Sequence, residues 1–225
     1  MTSPVRKIRL ADWERAIFID FEGRVKDPPS LLGHACDSVW SVYVIEPELW
    51  SAARHGHARG RVVAESIQVA LTELRNRAER EKRLVAAWSV REIDAIKETQ
   101  GFTSDDYKWW EHHLIDAKKF AKPMARQLKI DIRPRKSSSS GKENRNPLAS
   151  YMDAVNYKVP SLHGPNNAAQ RILYVRKQIL DKGSFEVITP TAKKKWANGL
   201  SHNYHDCIGL SVVMTSLSRQ IEQVG

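Results

Sequence analysis

Cysteine is scarce in this sequence: Cys36 and Cys207 are the only two. Two thiols cannot build a disulfide framework, nor a four-cysteine zinc site. Long apolar runs are missing as well. No stretch approaches the roughly 20 apolar residues that a membrane span requires. The opening residues MTSPVRKIRLADWERA hold no apolar segment of the kind a secretory signal needs. The expectation is a soluble, cytoplasmic chain with no membrane partner. Acidic residues are in deficit, with 26 Asp and Glu against 36 Lys and Arg and a formal net charge of +10. That balance favours a polyanionic partner, with nucleic acid first. A basic protein without such a partner is the plainer alternative. No feature singles out a protein partner.

What is present is enough apolar material for one core. Of 225 residues, 41% are hydrophobic, which fits a single domain over 1–225. AIFIDF (16–21) is short, apolar and rich in β-formers, so it reads as a buried strand. Residues 25–30 read as a turn, and 31–46 as one or two further strands. Residues 51–60 are a polar connector. From Val62 to Glu81 apolar positions recur at helical spacing. LVAAW (84–88) is a second buried strand, followed by a helix from about Ser89 to Gln100. Residues 112–128 read as a short strand leading into a helix, kinked or broken at Pro123. RPRKSSSSGKENRNP (133–147) has almost nothing to bury and reads as a basic, serine-rich flexible loop. The remainder reads as three helices, the last long, with Gly199 a candidate break in it. The order gives an α/β fold: a mixed β-sheet flanked by helices, with a helical C-terminal part.

Three stretches concentrate chemistry. In AIFIDFEG, Asp20 and Glu22 alternate with apolar residues, so a strand projects both carboxylates from one face. They fall at the strand's C-terminal end, where open α/β sheets bind ligands. Two carboxylates in an apolar setting repel each other, and a divalent cation with a taste for oxygen relieves that cost. A solvated acidic turn is the alternative. In LVAAWSVREIDAI, Glu92 lies in the first turn of the expected helix, where it can lean back over the sheet. Asp94 is its competitor, and first-turn acids that complement the helix dipole are the alternative reading for both. In SHNYHDC, His202 and Asp206 stand one helical turn apart on one face. His205 is about 60° round from His202. Histidine's ordinary pKa near 6.5 suits a proton acceptor. A polar helix face is one alternative. Zinc is another, although adjacent Asp206 and Cys207 cannot easily face one ion.

In this order, the three stretches resemble the DEDD family of 3′–5′ exonucleases in the RNase H-like superfamily. AIFIDFEG matches the family's apolar strand carrying D-x-E. LVAAWSVRE resembles the second motif, with Glu92 where the family usually has aspartate. SHNYHDC resembles the third, a histidine or tyrosine shortly before the last aspartate. Here three residues separate His202 from Asp206, which is the spacing of the tyrosine type. LIDAKKFAK resembles the strand between the second and third motifs, with Asp116 in a structural position. The resemblance implies an RNase H-like sheet and two-metal hydrolysis of phosphodiester bonds in DNA or RNA. Asp20, Glu22, Glu92 and Asp206 would hold two Mg2+ or Mn2+ ions, and His202 would take a proton from the attacking water. A catalytically degenerate nucleic-acid-binding domain and an RNase H-like endonuclease are the competing readings.

Basic residues supply candidate backbone contacts: Lys118, Lys119, Arg126, Arg133, Arg135 and Lys136, and again Lys193, Lys194 and Lys195. A solvated lysine-rich face is the alternative for each cluster. Trp109, Trp110, Trp196 and Tyr204 are candidates for stacking on bases or for the core.

Overall fold

The computed structural model describes residues 8–23, 28–89, 91–136, 143–144, 147–161 and 168–224. Six strands form the main sheet: β1 Ile17–Glu22, β2 Leu31–Cys36, β3 Val39–Val44, β4 Gly60–Ala64, β5 Val85–Ala87 and β6 Leu114–Asp116. Their spatial order is β4-β3-β2-β1-β5-β6. β1, β2 and β3 run antiparallel in succession, while β5 and β6 lie parallel to β1. β4 adds a parallel edge to β3. Arg135–Lys136 (β7) and Glu143–Asn144 (β8) pair in a separate antiparallel ladder. The serine run of the 133–147 segment lies outside the described residues.

The helices are α1 Leu10–Glu14, α2 Trp50–Ala53, α3 Ile67–Glu81, α4 Arg91–Lys97, α5 Ser104–His113, α6 Ala117–Gln127, α7 Leu148–Ala154, α8 Ala168–Lys182 and α9 Pro190–Val224. They sandwich the sheet. One face packs Phe18, Leu31, Trp40 and Val42 against Trp13, Tyr151, Ile172 and Leu210, drawn from α1, α7, α8 and α9. The other packs Ile17, Ile19, Leu32 and Val85 against Leu71, Leu74, Ile96 and Trp110 of α3, α4 and α5. Each large side chain buried in this way contributes about 1.5–3 kcal/mol relative to exposure. The period-two alternation of β1 assigns Asp20 and Glu22 to the Phe18 face, under α9.

The β2–β3 hairpin turns at Asp37 and Ser38, both with positive φ, as a two-residue turn of this hand demands. Arg83 grips the Asp37 carboxylate with two parallel hydrogen bonds of 2.8 Å.

The structure departs from the sequence reading at several points. Residues 60–64 are a strand, not the start of the 62–81 helix. Val62 and Val63 pair with β3, and Ser66 caps the helix by accepting from the Val69 amide. Within the expected polar connector, Trp50–Ala53 is a helical turn with Ala52 and Ala53 buried. Helix α5 lies in a stretch that the periodicity left unassigned, although Thr103 and Asp106 form a capping box there. Helix α4 is shorter than the expected 89–100 span. Pro123 does not break α6, because it sits on the exposed face opposite Ala117, Ala121 and Ala125. Water can serve the carbonyl it leaves unpaired. Nor does α9 break at Gly199, which is buried beside Ile172 of α8.

Candidate active site

β1, β5 and β6 are parallel, so their C-terminal ends share one edge of the sheet. β1 ends there with Asp20 and Glu22. The turn after β5 leads into α4 and Glu92, whose Oε2 accepts a 3.2 Å hydrogen bond from the Ser89 hydroxyl. α9 crosses over this edge and lowers His202 and Asp206 toward β1.

His202 Nε2 lies 3.2 Å from Asp206 Oδ2 and 3.6 Å from Glu22 Oε1. Ligand atoms of Glu22, His202 and Asp206 all fall within 4.8 Å of one another. Glu22 and His202 are buried, and Asp206 is partly so. Oε1 of Glu22 is buried without a hydrogen-bond partner among the described residues.

The electrostatics combine burial with repulsion among the acids, partly offset by neighbouring donors and cations. Burial raises the Asp20 carboxyl well above the ordinary range, and the charges of Glu22, Asp206 and Glu92 push it further. The Asn203 amide opposes them. Burial pushes Glu22 up to about 8; His202 and Arg171 pull it down while Asp206 pushes it up. Asp206 is also raised by burial, against the pull of His202. The Glu92 charge thus acts on Asp20, but neither of these two residues is in the set of ligand atoms within 4.8 Å of one another. Asp94 is exposed and is not among the charges that act on Asp20.

Asn203 is a residue that the sequence reading passed over. It is fully buried. Its Nδ2 donates to the Asp20 carboxylate at 3.0 Å and to the Asp20 carbonyl at 3.2 Å. Its Oδ1 accepts from the Trp40 indole at 3.1 Å. Gly33, directly across from Asp20 on β2, makes room for it. A Cβ at position 33 would stand 1.7 Å from Asn203 Oδ1. The signal for Asn203 was its place between His202 and Tyr204, but no spacing rule connects it to Trp40 or Gly33.

The two histidines separate. His205 turns away from the acids: Tyr157 Oη meets its Nδ1 at 2.9 Å, and Arg59 Nη1 meets its Nε2 at 3.1 Å. Cys207 is buried with its thiol pushed well up by burial and by the nearby acids. It is absent from the ligand group, so the zinc alternative on His202 and Cys207 has no geometric basis among the described residues. Asp116 caps α6 by accepting from the Lys119 amide at 3.3 Å.

The basic candidates are dispersed. Lys118 and Lys119 open α6 at the same sheet edge as the acids, whereas Arg126 lies in its last turn and Arg133 beyond it. Arg135 and Lys136 lie on β7, and their side chains are outside the described residues. Lys193, Lys194 and Lys195 open α9; Lys193 donates to the Glu186 carbonyl, and Lys195 covers the Tyr174 ring. Trp110 and Trp196 are core residues, which removes them as stacking platforms. Trp109 packs against Trp110 and His113. A cavity of about 380 Å³ opens beyond Gly23, with Pro28, Pro29, Ile67 and Leu173 among its walls.

No family model, curated protein or solved structure matches this chain. Among the described residues, no helix is long and apolar enough to cross a membrane.

Proposed function

We propose that this chain is a metal-dependent 3′–5′ exonuclease of RNase H-like fold, hydrolysing phosphodiester bonds of DNA or RNA. The observation that carries the reading is the meeting of Glu22, His202 and Asp206 at the end of the central strand, with Asp20 on the same strand face and the Glu92 charge acting on it. A mixed sheet with that strand at its centre and helices on both faces is the scaffold the reading requires. The basic excess of the chain agrees with a nucleic-acid substrate.

The residues fit divalent metal. Buried carboxylates with raised pKa values and an orphaned Glu22 oxygen leave a charge deficit that Mg2+ or Mn2+ would fill. Asp20, Glu22, Glu92 and Asp206 would hold the two ions, which would offset charge on the entering and leaving oxygens. His202 Nε2 takes the proton from the attacking water as its oxygen bonds to phosphorus and the bond to the 3′-oxygen breaks. Asn203 holds the Asp20 carboxylate in one orientation by its 3.0 Å hydrogen bond. Both cysteines are free and buried, which suits a reducing compartment, and we place the protein in the cytoplasm.

The test is cleavage of a labelled linear oligonucleotide with Mg2+, with Mn2+ and with chelator. Stepwise loss from the 3′ end should require metal. Asp20→Ala and Asp206→Ala should each slow it on the order of 10³-fold. Full activity in either variant sinks the assignment. Salt-sensitive binding without cleavage would favour the binding-domain reading, and cutting of a circular strand the endonuclease one.

A further inference from the structure

The loop between α2 and β4, residues 54–59, reads in sequence as a plain polar connector, yet it is fastened to α9. His57 accepts from the Arg59 amide through Nδ1 at 3.3 Å, so its Nε2 carries the proton and donates to Ser201 Oγ at 3.1 Å. A guanidinium only donates. His205 Nε2 therefore accepts from Arg59 at 3.1 Å, and its Nδ1 donates to Tyr157 Oη at 2.9 Å. The Arg59 guanidinium also lies over the Tyr204 ring, 4.7 Å from its centre. The loop then closes onto β3 at Gly60, where a Cβ would meet the Trp40 carbonyl at 2.1 Å.

Arg59 is thus an exposed cation held at one nitrogen and one face. Among the described residues, its other nitrogens bond nothing and no carboxylate pairs with it. Its anchor, His205, is the chain neighbour of Asp206. The Tyr157 hydroxyl feels the charges of both Arg59 and Asp206. A fixed guanidinium with a spare edge is matched to a phosphate, which it can grip with two parallel hydrogen bonds. In the basic clusters, Lys119 and Lys194 are exposed on helix ends, and Lys193 and Lys195 are held by the Glu186 carbonyl and the Tyr174 ring as flexible ammonium groups without a guanidinium fork.

We propose that Arg59 binds a backbone phosphate of the nucleic-acid strand beside the acidic centre, and that His205 and Tyr204 position it there. The proposal deepens the nuclease reading and rests on it for the identity of the strand. It places one edge of the substrate path over the amino-terminal half of α9 and the 54–59 loop, on the β4 side of the acids.

The experiment compares the full chain with Arg59→Ala and Arg59→Lys. Binding of a fluorescent single-stranded oligonucleotide is read by anisotropy across a salt series, on an Asp206→Asn background so that the probe survives. Cleavage is read with Asp206 intact. Arg59→Ala should raise Kd and KM about tenfold and lessen the salt slope by about 0.7, the amount for one single-strand phosphate. The effect on kcat should be the smaller one. Arg59→Lys should restore the slope and only part of the affinity, because it keeps the charge and loses the fork. Wild-type Kd and slope in Arg59→Ala would overturn the proposal while leaving the nuclease reading intact. A lessened slope in a chain that never cleaves would keep the proposal and remove the nuclease reading. An intact chain that does not bind the oligonucleotide overturns both. If Arg59→Ala melts early, Arg59→Gln, which keeps a donor near His205, is judged by the same criteria.

Discussion

His202 and His205 stand three residues apart on one helix, yet they keep opposite company. His202 faces the acids, with Asp206 at 3.2 Å and Glu22 at 3.6 Å. His205 faces a phenol and a guanidinium, Tyr157 at 2.9 Å and Arg59 at 3.1 Å. Both are buried histidines in a polar stretch, and residue type does not distinguish them. The rotation of α9 over the sheet does. About 60° of helix turn moves an imidazole from an acid cluster to a basic and aromatic one. In the first setting the imidazole stands beside carboxylates, where it can exchange a proton. In the second it is locked by two hydrogen bonds and serves as a support.

The sharpest test of that contrast is a pair of alanine variants. His202→Ala should cut kcat for oligonucleotide cleavage by about 10²–10⁴-fold, the range for a lost general base. His205→Ala should act mainly on KM, through Arg59, with kcat within roughly threefold of the parent. Equal loss of kcat in both variants would break the contrast. The next effect in size belongs to the link between the two regions. Asn203→Ala strips Asp20 and the Trp40 indole of their partner at once. We expect a loss of about 1–3 kcal/mol in stability by denaturant melt and roughly 10–100-fold in activity. Gly33→Ala should imitate it, since the new methyl group takes the place of the Asn203 amide.

A smaller effect is electrostatic and separates the acid corner from the histidine support. Folding raises the Glu22 pKa from its ordinary 4.5 to about 8. The native state therefore binds more protons than the unfolded one between those values, and stability falls as pH rises through that window. The metal-free protein should melt a few degrees lower at pH 8 than at pH 5. Mg2+ or Mn2+ should recover the loss, and more at pH 8 than at pH 5, where protons compete for the same oxygens. A melting temperature indifferent to both pH and metal would contradict the site. Smallest of all, Tyr157→Phe removes one hydrogen bond to His205 and should cost about 0.5–1.5 kcal/mol by the same melt.

Much of the frame was legible from local pattern. The alternation in IFIDFE places Asp20 and Glu22 on one face, and the structure agrees. LVAAW and VWSVYV are strands because β-branched and aromatic residues suit a buried, pleated surface. Local pattern misled where packing overrode it. Val62 and Val63 fit a helical period, but a neighbouring strand offered them a ladder. Pro123 and Gly199 are helix breakers by propensity, but burial of the remaining face carries the helix through both.

Sequence alone determined the acid pair on β1, the His202–Asp206 face and the strands β1, β3 and β5, because each depends on spacing within a few residues. Tertiary structure alone decided the rest. It brought the charge of Glu92, and not that of Asp94, to bear on Asp20, turned His202 toward the acids and His205 away from them, brought Trp40, Gly33 and Asn203 together behind Asp20, and fixed Arg59 on α9. Those choices depend on how far one helix is rotated above a sheet, and that rotation is set by the packing of the whole core rather than by any short run of residues.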